Sequence, residues 1–274
     1  ESLTNIIWAP MPDKIKSVSL SANWMWPAKN PGENARIYNA VKAAGDFACA
    51  LGINIPTGKD SMSMTQKYKD DMVYAPGTVI ISSSGEVTDV KKVVEPVLVN
   101  DESKEILFID LSFCNRALGG SAFAQSINKI GNEAPTVADP AKFVTAFNKV
   151  QDLIEQGLIL AGHDVGSGGL ITTLLEMCFS NVKGGMKVDV TAFEEEDLAK
   201  ILLAENPGIV IQCADNDEVK KQLDEAGVGF IALGFPVPYH KVRVVNKTIE
   251  ADFDIATLRD MWFKTSYLLD RKQC

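Results

Sequence analysis

The sequence has little positive charge and no basic run that would suit a polyanion. Its 27 lysines and arginines are outnumbered by 36 aspartates and glutamates, which gives a formal net charge of -9. Nucleic-acid-binding surfaces need clustered cations, and anionic membrane surfaces repel an acidic chain. We therefore expect no nucleic-acid partner and no membrane partner. Any phosphate group must be held by backbone amides, single cations or a bound metal.

Cysteines are few and scattered, and long apolar runs are missing. The five cysteines form no C-x-x-C pair and no cluster with the two histidines, which argues against a disulfide framework and a zinc site. Cys49, Cys178 and Cys213 lie in apolar runs, so we expect buried, reduced thiols. No apolar stretch approaches the roughly 20 residues of a membrane span, and no signal peptide is found. These absences favour a cytoplasmic protein.

What the chain does have is enough apolar material for a core, with 46% hydrophobic and 23% charged residues over 274 positions. That length suits one large domain or two ordinary ones. The chain opens at Glu1 without a methionine, and the pattern there is that of the middle of an element. We therefore expect a piece of a longer protein.

Hydrophobic periodicity predicts an α+β fold in two parts, divided near Val97. In the first part it predicts strands over residues 18–23, 53–64 and 78–82, and a helix over 33–51 that stops at Gly52. The strand over 53–64 is interrupted at residues 58–61. In the second part it predicts strands over 106–111, 158–161, 186–190, 209–213, 230–233 and 242–245, and helices over 119–130, 140–156, 169–179, 194–203 and 216–226. Consecutive strands near the end favour a mixed or antiparallel sheet. A last helix follows the cap Asp254, so the predicted domains are residues 1–96, 97–250 and a helical tail over 251–274.

A glycine-rich turn is the sharpest local feature. It reads Ala161-Gly162-His163-Asp164-Val165-Gly166-Ser167-Gly168-Gly169-Leu170, between a predicted strand and a predicted helix. Small residues there let backbone N–H groups converge on an anion, and Asp164 at the strand end is placed to bind Mg²⁺ that bridges phosphates. The alternative is a tight turn in which Asp164 or Ser167 simply caps the helix. Both interpretations remain open from the local pattern.

Two further groups of polar residues have the same ambiguity. Lys59, Asp60 and Ser61 end an apolar strand, where they could serve a metal–phosphate complex or form a solvated turn. Glu1 and Asn5 share one face of a helix and could jointly bind a cation or be surface residues. His163 lacks a nucleophile to pair with, so we expect a structural hydrogen bond from it.

Taken together, the motifs resemble those of the large, single-chain phosphoribosylformylglycinamidine synthases. The similar segments are Ser19-Leu20-Ser21-Ala22-Asn23-Trp24-Met25, Asn30-Pro31-Gly32-Glu33, Ile55-Pro56-Thr57-Gly58-Lys59-Asp60-Ser61-Met62-Ser63-Met64, His163-Asp164 with Gly168-Gly169-Leu170, Leu174-Glu176-Met177, and Thr257-Leu258-Arg259 with Trp262 and Thr265-Ser266-Tyr267. The resemblance runs from end to end. It implies an aminoimidazole ribonucleotide synthetase-like fold, comprising most of the second of two homologous synthetase halves.

The resemblance also implies a function. Family members convert formylglycinamide ribonucleotide, ATP and glutamine to formylglycinamidine ribonucleotide, ADP, phosphate and glutamate. A first synthetase half and a C-terminal glutaminase, both parts of the family's chain, are missing from these residues. The second half resembles a structural ADP and Mg²⁺ site, whose metal ligands match Glu1, Asn5 and Asp164. Nucleotide contacts match Gly166, Ser167 and Gly168, although Gly166 stands where the family often has serine.

By analogy with shorter members of the superfamily, Lys59, Asp60 and Ser61 belong to the substrate and ATP cleft as catalytic residues. The shorter enzymes have a version of this loop that contains an asparagine. Two alternatives to a ligase fragment with a structural nucleotide site stay open. One is a scaffold domain that binds no ligand, and the other is a half-enzyme that dimerises with itself and catalyses. We expect the isolated chain to be inactive.

Overall fold

The computed structural model describes residues 1–273, and Cys274 lies outside the described residues. The chain forms two compact units. The smaller consists of Ser2 and Pro10–Thr88, and the larger consists of Glu1, Leu3–Ala9 and the chain from Asp89 onward. The chain passes from one unit to the other at Asp89, earlier than the division predicted near Val97. The three predicted domain ranges stay predictions.

Helices and strands are mixed along the chain, with runs of consecutive strands between residues 54 and 84 and between residues 231 and 254. Up to Ser84 they are α1 (Ser2–Ile6), β1 (Ser19–Met25), α2 (Glu33–Leu51), β2 (Asn54–Ser61), β3 (Thr65–Tyr68), β4 (Asp71–Tyr74) and β5 (Thr78–Ser84). Beyond it they are β6 (Ile106–Asp110), α3 (Ala122–Ser126), α4 (Pro140–Glu155), β7 (Ile159–Asp164), α5 (Gly169–Phe179), β8 (Gly185–Asp189), α6 (Leu198–Leu203), β9 (Gly208–Cys213), α7 (Asn216–Glu225), β10 (Ile231–Val237), β11 (Lys241–Asn246), β12 (Ile249–Asp254) and α8 (Ile255–Gln273).

In the smaller unit a three-stranded sheet has the order β2-β1-β5, with β1 parallel to β2 and antiparallel to β5. Alternate residues of β1 are buried, and Ala22, Trp24 and Trp26 form a small core that Ile37, Ala40 and Ala44 of α2 cover. These three residues are spaced so that they lie on one side of α2, as the periodicity of an amphipathic helix requires. Gly52 ends the helix in a left-handed conformation with φ of 72°, as predicted.

One prediction for the smaller unit was wrong, and one pair of strands was missed. Residues 58–61 do not interrupt β2, because they continue its parallel pairing with β1 as far as the match of Ser61 with Met25. Gly58 permits this, since a Cβ there would lie 2.0 Å from the carbonyl oxygen of Ala22. The β3–β4 hairpin was not predicted, because its four-residue strands are exposed along their length and leave no buried alternation to detect.

The larger unit has a seven-stranded mixed sheet of order β12-β11-β8-β10-β6-β9-β7. Most neighbours are antiparallel, and β11 pairs with β8 in parallel, which confirms the predicted mixed sheet and the α+β class. Its core joins α5 and α6 to the sheet through fully buried side chains such as Phe108, Leu174 and Val210. Asp139 caps α4 and accepts from the amide of Lys142 at 3.0 Å, with Pro140 at the first helical position.

Several predictions for the larger unit were too long or missed an element. The helix predicted over 119–130 is reduced to α3, because the amides of Gly119 and Gly120 bond to the carbonyls of Glu133 and Ile130 and turn the chain back on itself. The predicted helix over 194–203 begins only at Leu198, after the cap Asp197. Strand β12 was missed.

Of the three thiols predicted to be buried, Cys178 and Cys213 are, but Cys49 lies on the exposed side of α2. Among residues 1–273 no helix combines the length and the apolar character that crossing a membrane requires.

Candidate functional site

The glycine-rich turn joins β7, which ends at Asp164, to α5, which begins at Gly169. Gly168 and Gly169 are both left-handed, with φ of 91° and 72°. At Gly168 a Cβ would also lie 2.3 Å from Oγ1 of Thr172, so both the backbone conformation and the lack of space require glycine at this position. The two glycines let the chain leave the sheet and enter the helix within a few residues.

Asp164 is a buried acid at the end of its strand, with 7% of its surface exposed. Its Oδ2 lies 3.5 Å from the hydroxyl of Thr4, and its Oδ1 lies 3.6 Å from Nδ1 of His163. The Thr4 hydroxyl also lies 2.9 Å from the carbonyl oxygen of Glu1. A buried carboxylate is costly unless it is hydrogen-bonded, paired or metal-bound. The contacts here are long and few for such a group.

Glu1 stands at the N-cap of α1 and Asn5 lies one helical turn further on, and the Asn5 backbone amide donates to the carbonyl of Glu1 at 2.9 Å. Both side chains are exposed. The Glu1 Oε1 atom lies 3.7 Å from the point where a Cβ of Gly166 would stand, so α1 brings this carboxylate to the glycine-rich turn.

The described residues contain no group of three or more His, Cys, Asp or Glu side chains arranged to hold a metal ion. The predicted set of Glu1, Asn5 and Asp164 has only two such side chains and one amide. It stays a prediction. Thr4, which touches Asp164, was missed, because the two residues are 160 positions apart and no local pattern links them.

A second acid, Glu205, accepts a hydrogen bond from one of the backbone amides that were predicted to contact the nucleotide. Its Oε1 accepts from the backbone amide of Gly168 at 2.8 Å and from that of Ala122 at 2.8 Å. Within residues 1–273 the amides of Gly166 and Ser167 make no hydrogen bond. An anion at this turn thus has two amides open to it, and a third is already bound to a carboxylate of the same chain.

His163 has the structural hydrogen-bonding environment predicted for it. Its Nε2 lies 3.3 Å from Oε2 of Glu176, its Nδ1 lies 2.7 Å from the carbonyl of Asp164, and the Trp262 indole donates to Oε1 of Glu176 at 2.9 Å. Burial acts to lower the pKa of His163. The hydrogen bond to Glu176, the hydrogen bond to the backbone carbonyl of Asp164 and the charges of the two carboxylates together outweigh burial and raise that pKa. The network ties α5 to α8.

Lys59, Asp60 and Ser61 belong to the smaller unit, at the end of β2. Lys59 and Asp60 are exposed, and Lys59 Nζ lies 2.5 Å from the Ser61 hydroxyl. The strand places the Lys59 and Ser61 side chains on one side of the sheet and that of Asp60 on the other. Their catalytic role stays a prediction.

Comparison with known proteins agrees with this architecture. Residues 1–86 match the FGAR-AT PurM_N-like domain, and residues 106–234 match the C-terminal domain of AIR synthase related proteins. The chain therefore contains a segment similar to each of these two domains.

Over its whole length the chain is similar to phosphoribosylformylglycinamidine synthases. It is 37% identical over 280 residues to the Homo sapiens enzyme and 36% identical over 278 residues to a probable chloroplastic or mitochondrial enzyme of Arabidopsis thaliana. It spans 21% and 20% of the length of these two curated relatives.

Solved structures share the fold at low sequence identity. Thermotoga maritima PurL complexed with FGAR has a TM-score of 0.69 at 12% identity, covering 94% of this chain and 41% of that one. The same protein complexed with ATP has a TM-score of 0.66 at 11% identity, covering 93% and 39%. Escherichia coli HypE, a hydrogenase maturation protein, has a TM-score of 0.61 at 14% identity, covering 93% and 77%. These likenesses support the aminoimidazole ribonucleotide synthetase-like fold predicted from the sequence.

Proposed function

We propose that this chain is part of a ligase that converts formylglycinamide ribonucleotide, ATP and glutamine to formylglycinamidine ribonucleotide in purine biosynthesis. The observation that carries this proposal is the similarity of the full chain to phosphoribosylformylglycinamidine synthases from two organisms. The chain spans about a fifth of the length of each relative. In this proposal a first synthetase half and a glutaminase, which the sequence resemblance implies, supply the other parts of the active enzyme. The isolated chain is then inactive.

Within this enzyme the glycine-rich turn forms a structural site for ADP and Mg²⁺. The donor set suits such a group. Asp164 is a buried carboxylate whose polar contacts are all 3.5 Å or longer, and Glu1 brings a second carboxylate to Gly166. Oxygen ligands of this kind are those that Mg²⁺ prefers. When bound, the metal would neutralise the charge of the phosphates.

Three side chains, those of Glu1, Asn5 and Asp164, would hold the metal. The backbone amides of Gly166 and Ser167 would donate hydrogen bonds to phosphate oxygens, while Gly168 shapes the turn and donates its own amide to Glu205. Lys59, Asp60 and Ser61 would contribute to the substrate and ATP cleft in the intact enzyme. Lys59 would supply a positive charge, and Asp60 and Ser61 oxygen groups.

The test is a thermal-shift titration of the purified chain with Mg²⁺ and ADP, combined with chromatography of any nucleotide released by denaturation. Binding to the folded state alone raises the melting temperature. Asp164→Asn should weaken Mg²⁺–ADP binding by at least about tenfold, since it removes an anionic ligand of the metal. His163→Gln is the matched control, because it alters the neighbouring side chain and should change affinity much less.

Equal losses in the two variants, or no loss in either, would contradict the assignment of Asp164 as a metal ligand. An unchanged melting temperature and no released nucleotide would favour a scaffold domain without a ligand. Turnover of formylglycinamide ribonucleotide with ATP and added ammonia by this chain alone would favour the self-dimerising half-enzyme.

A further inference from the structure

Two of the three predicted metal ligands, Glu1 and Asn5, depend on a helix that is too short to hold its own position. Helix α1 has five residues, and its N-cap, Glu1, makes no side-chain capping hydrogen bond in the part of the chain that the structure describes. Isolated helices shorter than roughly 12 residues are marginal in water. Contacts with the rest of the larger unit must therefore fix where Glu1 and Asn5 lie relative to Asp164.

The first of these contacts is a buried glutamine of α4. Gln151 is 1% exposed, and its Nε2 atom donates to the carbonyl oxygen of Ile7 at 2.5 Å and to that of Ala9 at 3.1 Å. Ile7 is the C-cap of α1, and carbonyls at the end of a helix lack partners inside it. One side-chain amide thus binds the chain at two points directly after the helix.

The second contact is the packing of Trp8 on β7. Trp8 is buried, and a Cβ on Gly162 would lie 2.1 Å from Cζ3 and 2.6 Å from Cη2 of its ring, so the ring lies directly on the strand backbone. The Val94 amide also donates to the carbonyl of Trp8 at 3.0 Å. The next residue, Glu95, accepts from the amide of Gly162 at 3.1 Å. Because Gly162 stands two positions before Asp164, these contacts fix Trp8 relative to the end of the strand.

From these anchor points α1 extends to the glycine-rich turn. Thr4 is 1% exposed, and its hydroxyl lies 3.5 Å from Oδ2 of Asp164. The Glu1 Oε1 atom lies 3.7 Å from the point where a Cβ of Gly166 would stand. Mg²⁺ demands near-ideal octahedral geometry, so ligands from two elements must be held at a fixed separation. A displacement of residues 7–9 would move the ligands of α1 away from Asp164.

We propose that Gln151 is a positioning residue of the Mg²⁺–ADP site. Its amide holds α1 in the place at which Glu1 and Asn5 can join Asp164 on one ion. The inference rests on the site proposed above and adds to it a residue that touches neither the metal nor the nucleotide. An apolar side chain of similar size would fill the same space but would leave the carbonyls of residues 7 and 9 without this donor.

The test begins with Gln151→Met, which keeps the length of the side chain and removes its hydrogen-bond donor. Loss of a group that orients metal ligands typically costs tenfold or more in metal affinity, so Mg²⁺–ADP binding should weaken about tenfold in isothermal titration calorimetry. Gln156→Met is the matched control. Gln156 is the C-cap of the same helix, but its side chain bonds to Gln222, so the affinity should stay unchanged.

Two further readouts separate positioning from a general loss of stability. If Gln151 acts through α1, its replacement should cost less than about threefold in affinity once Glu1→Gln has removed that carboxylate. In the ligand-free chain, hydrogen exchange should become faster in peptides from residues 1–9 of Gln151→Met, while peptides from β11 keep their rates.

Circular dichroism shows whether each variant folds. If Gln151→Met does not fold, Gln151→Asn carries the test, because it keeps the amide but is one methylene too short to reach both carbonyls. Unchanged affinity in a folded variant, equal losses with and without the Glu1 carboxylate, or unchanged exchange over residues 1–9 would overturn this inference alone. No Mg²⁺–ADP binding by the unaltered chain would refute the proposed site itself and the inference with it.

Discussion

Glu205 is the residue whose replacement should most clearly disturb the glycine-rich turn. One of its oxygens accepts from two backbone amides, those of Gly168 and Ala122, each at 2.8 Å. Glu205→Ala leaves both amides without this partner. Hydrogen bonds to charged groups contribute about 1.5–3 kcal/mol each, and Glu205 is only half-buried, so we take the lower end for both. The expected loss in local stability is about 3 kcal/mol.

Hydrogen–deuterium exchange read by mass spectrometry measures this loss where it occurs. A change of about 3 kcal/mol corresponds to roughly 100-fold faster exchange in peptides that contain Gly168 and Ala122. Glu205→Gln retains an oxygen acceptor and should show about half of this effect in free energy. Glu225→Ala, which changes an exposed glutamate at the end of α7, is the control and should leave both peptides unchanged.

The charge of Glu205 adds a second expectation. A carboxylate beside the turn repels a phosphate anion, so Glu205→Gln should bind Mg²⁺–ADP more tightly than the unaltered chain. Unchanged exchange in Glu205→Ala would refute the account of the turn as held by this acid. Unchanged nucleotide affinity in Glu205→Gln would refute only the electrostatic part.

Two more predictions concern thiol chemistry and strand pairing. Burial raises the pKa of the Cys178 thiol to about 12, and it is the largest cause that raises the pKa of Cys213 to about 12. Both thiols therefore stay protonated at pH 8. Iodoacetamide should modify the exposed Cys49 and spare Cys178 and Cys213, as peptide mass spectrometry would show. Modification of all three at equal rates in the folded chain would contradict the burial described here. Gly58→Ala should destabilise the β1–β2 pairing by about 2 kcal/mol or more, because the new Cβ would stand 2.0 Å from the carbonyl oxygen of Ala22. Urea unfolding followed by tryptophan fluorescence measures this loss of stability. An unchanged unfolding midpoint would exclude this close approach.

The sequence predicted best those elements in which local pattern and tertiary packing agree. Helix α2 has an apolar stripe, a glycine stop and a partner sheet, and it was predicted at both ends. Helix α4 has an aspartate cap and a proline at its first position, and its start was predicted as well. In each case one side of the element is buried and the end signals are local.

The failures have a different physical origin. The predicted helix over 119–130 has suitable apolar spacing, but hydrogen bonds from Gly119 and Gly120 to residues further along the chain compete with it. Cys49 lies in an apolar run, yet it is on the exposed side of α2, because an apolar run on a helix covers more than one side. Neither the competing hydrogen bonds nor the exposed position of Cys49 can be predicted from local composition, because both depend on residues elsewhere in the fold.

The candidate site likewise has a part that the sequence predicted and a part that it did not. Asp164 and the glycines of the turn were recognisable as a strand-to-helix connection with an acid at its start. Thr4 and Glu205 were not, because each reaches the turn from a different element of the chain. The sequence could therefore predict the chain segment that forms the turn but not the side chains that surround it.

The larger unit is discontinuous in sequence, since its first segment, Leu3–Ala9, is separated from the rest by the whole of the smaller unit. During synthesis the smaller unit is complete while β7 has not yet been made, so α1 has no Asp164 to contact. Closing so long a loop costs entropy before the contact at Thr4 offsets it. A ligand that held Glu1 and Asp164 together would therefore also keep this long loop closed.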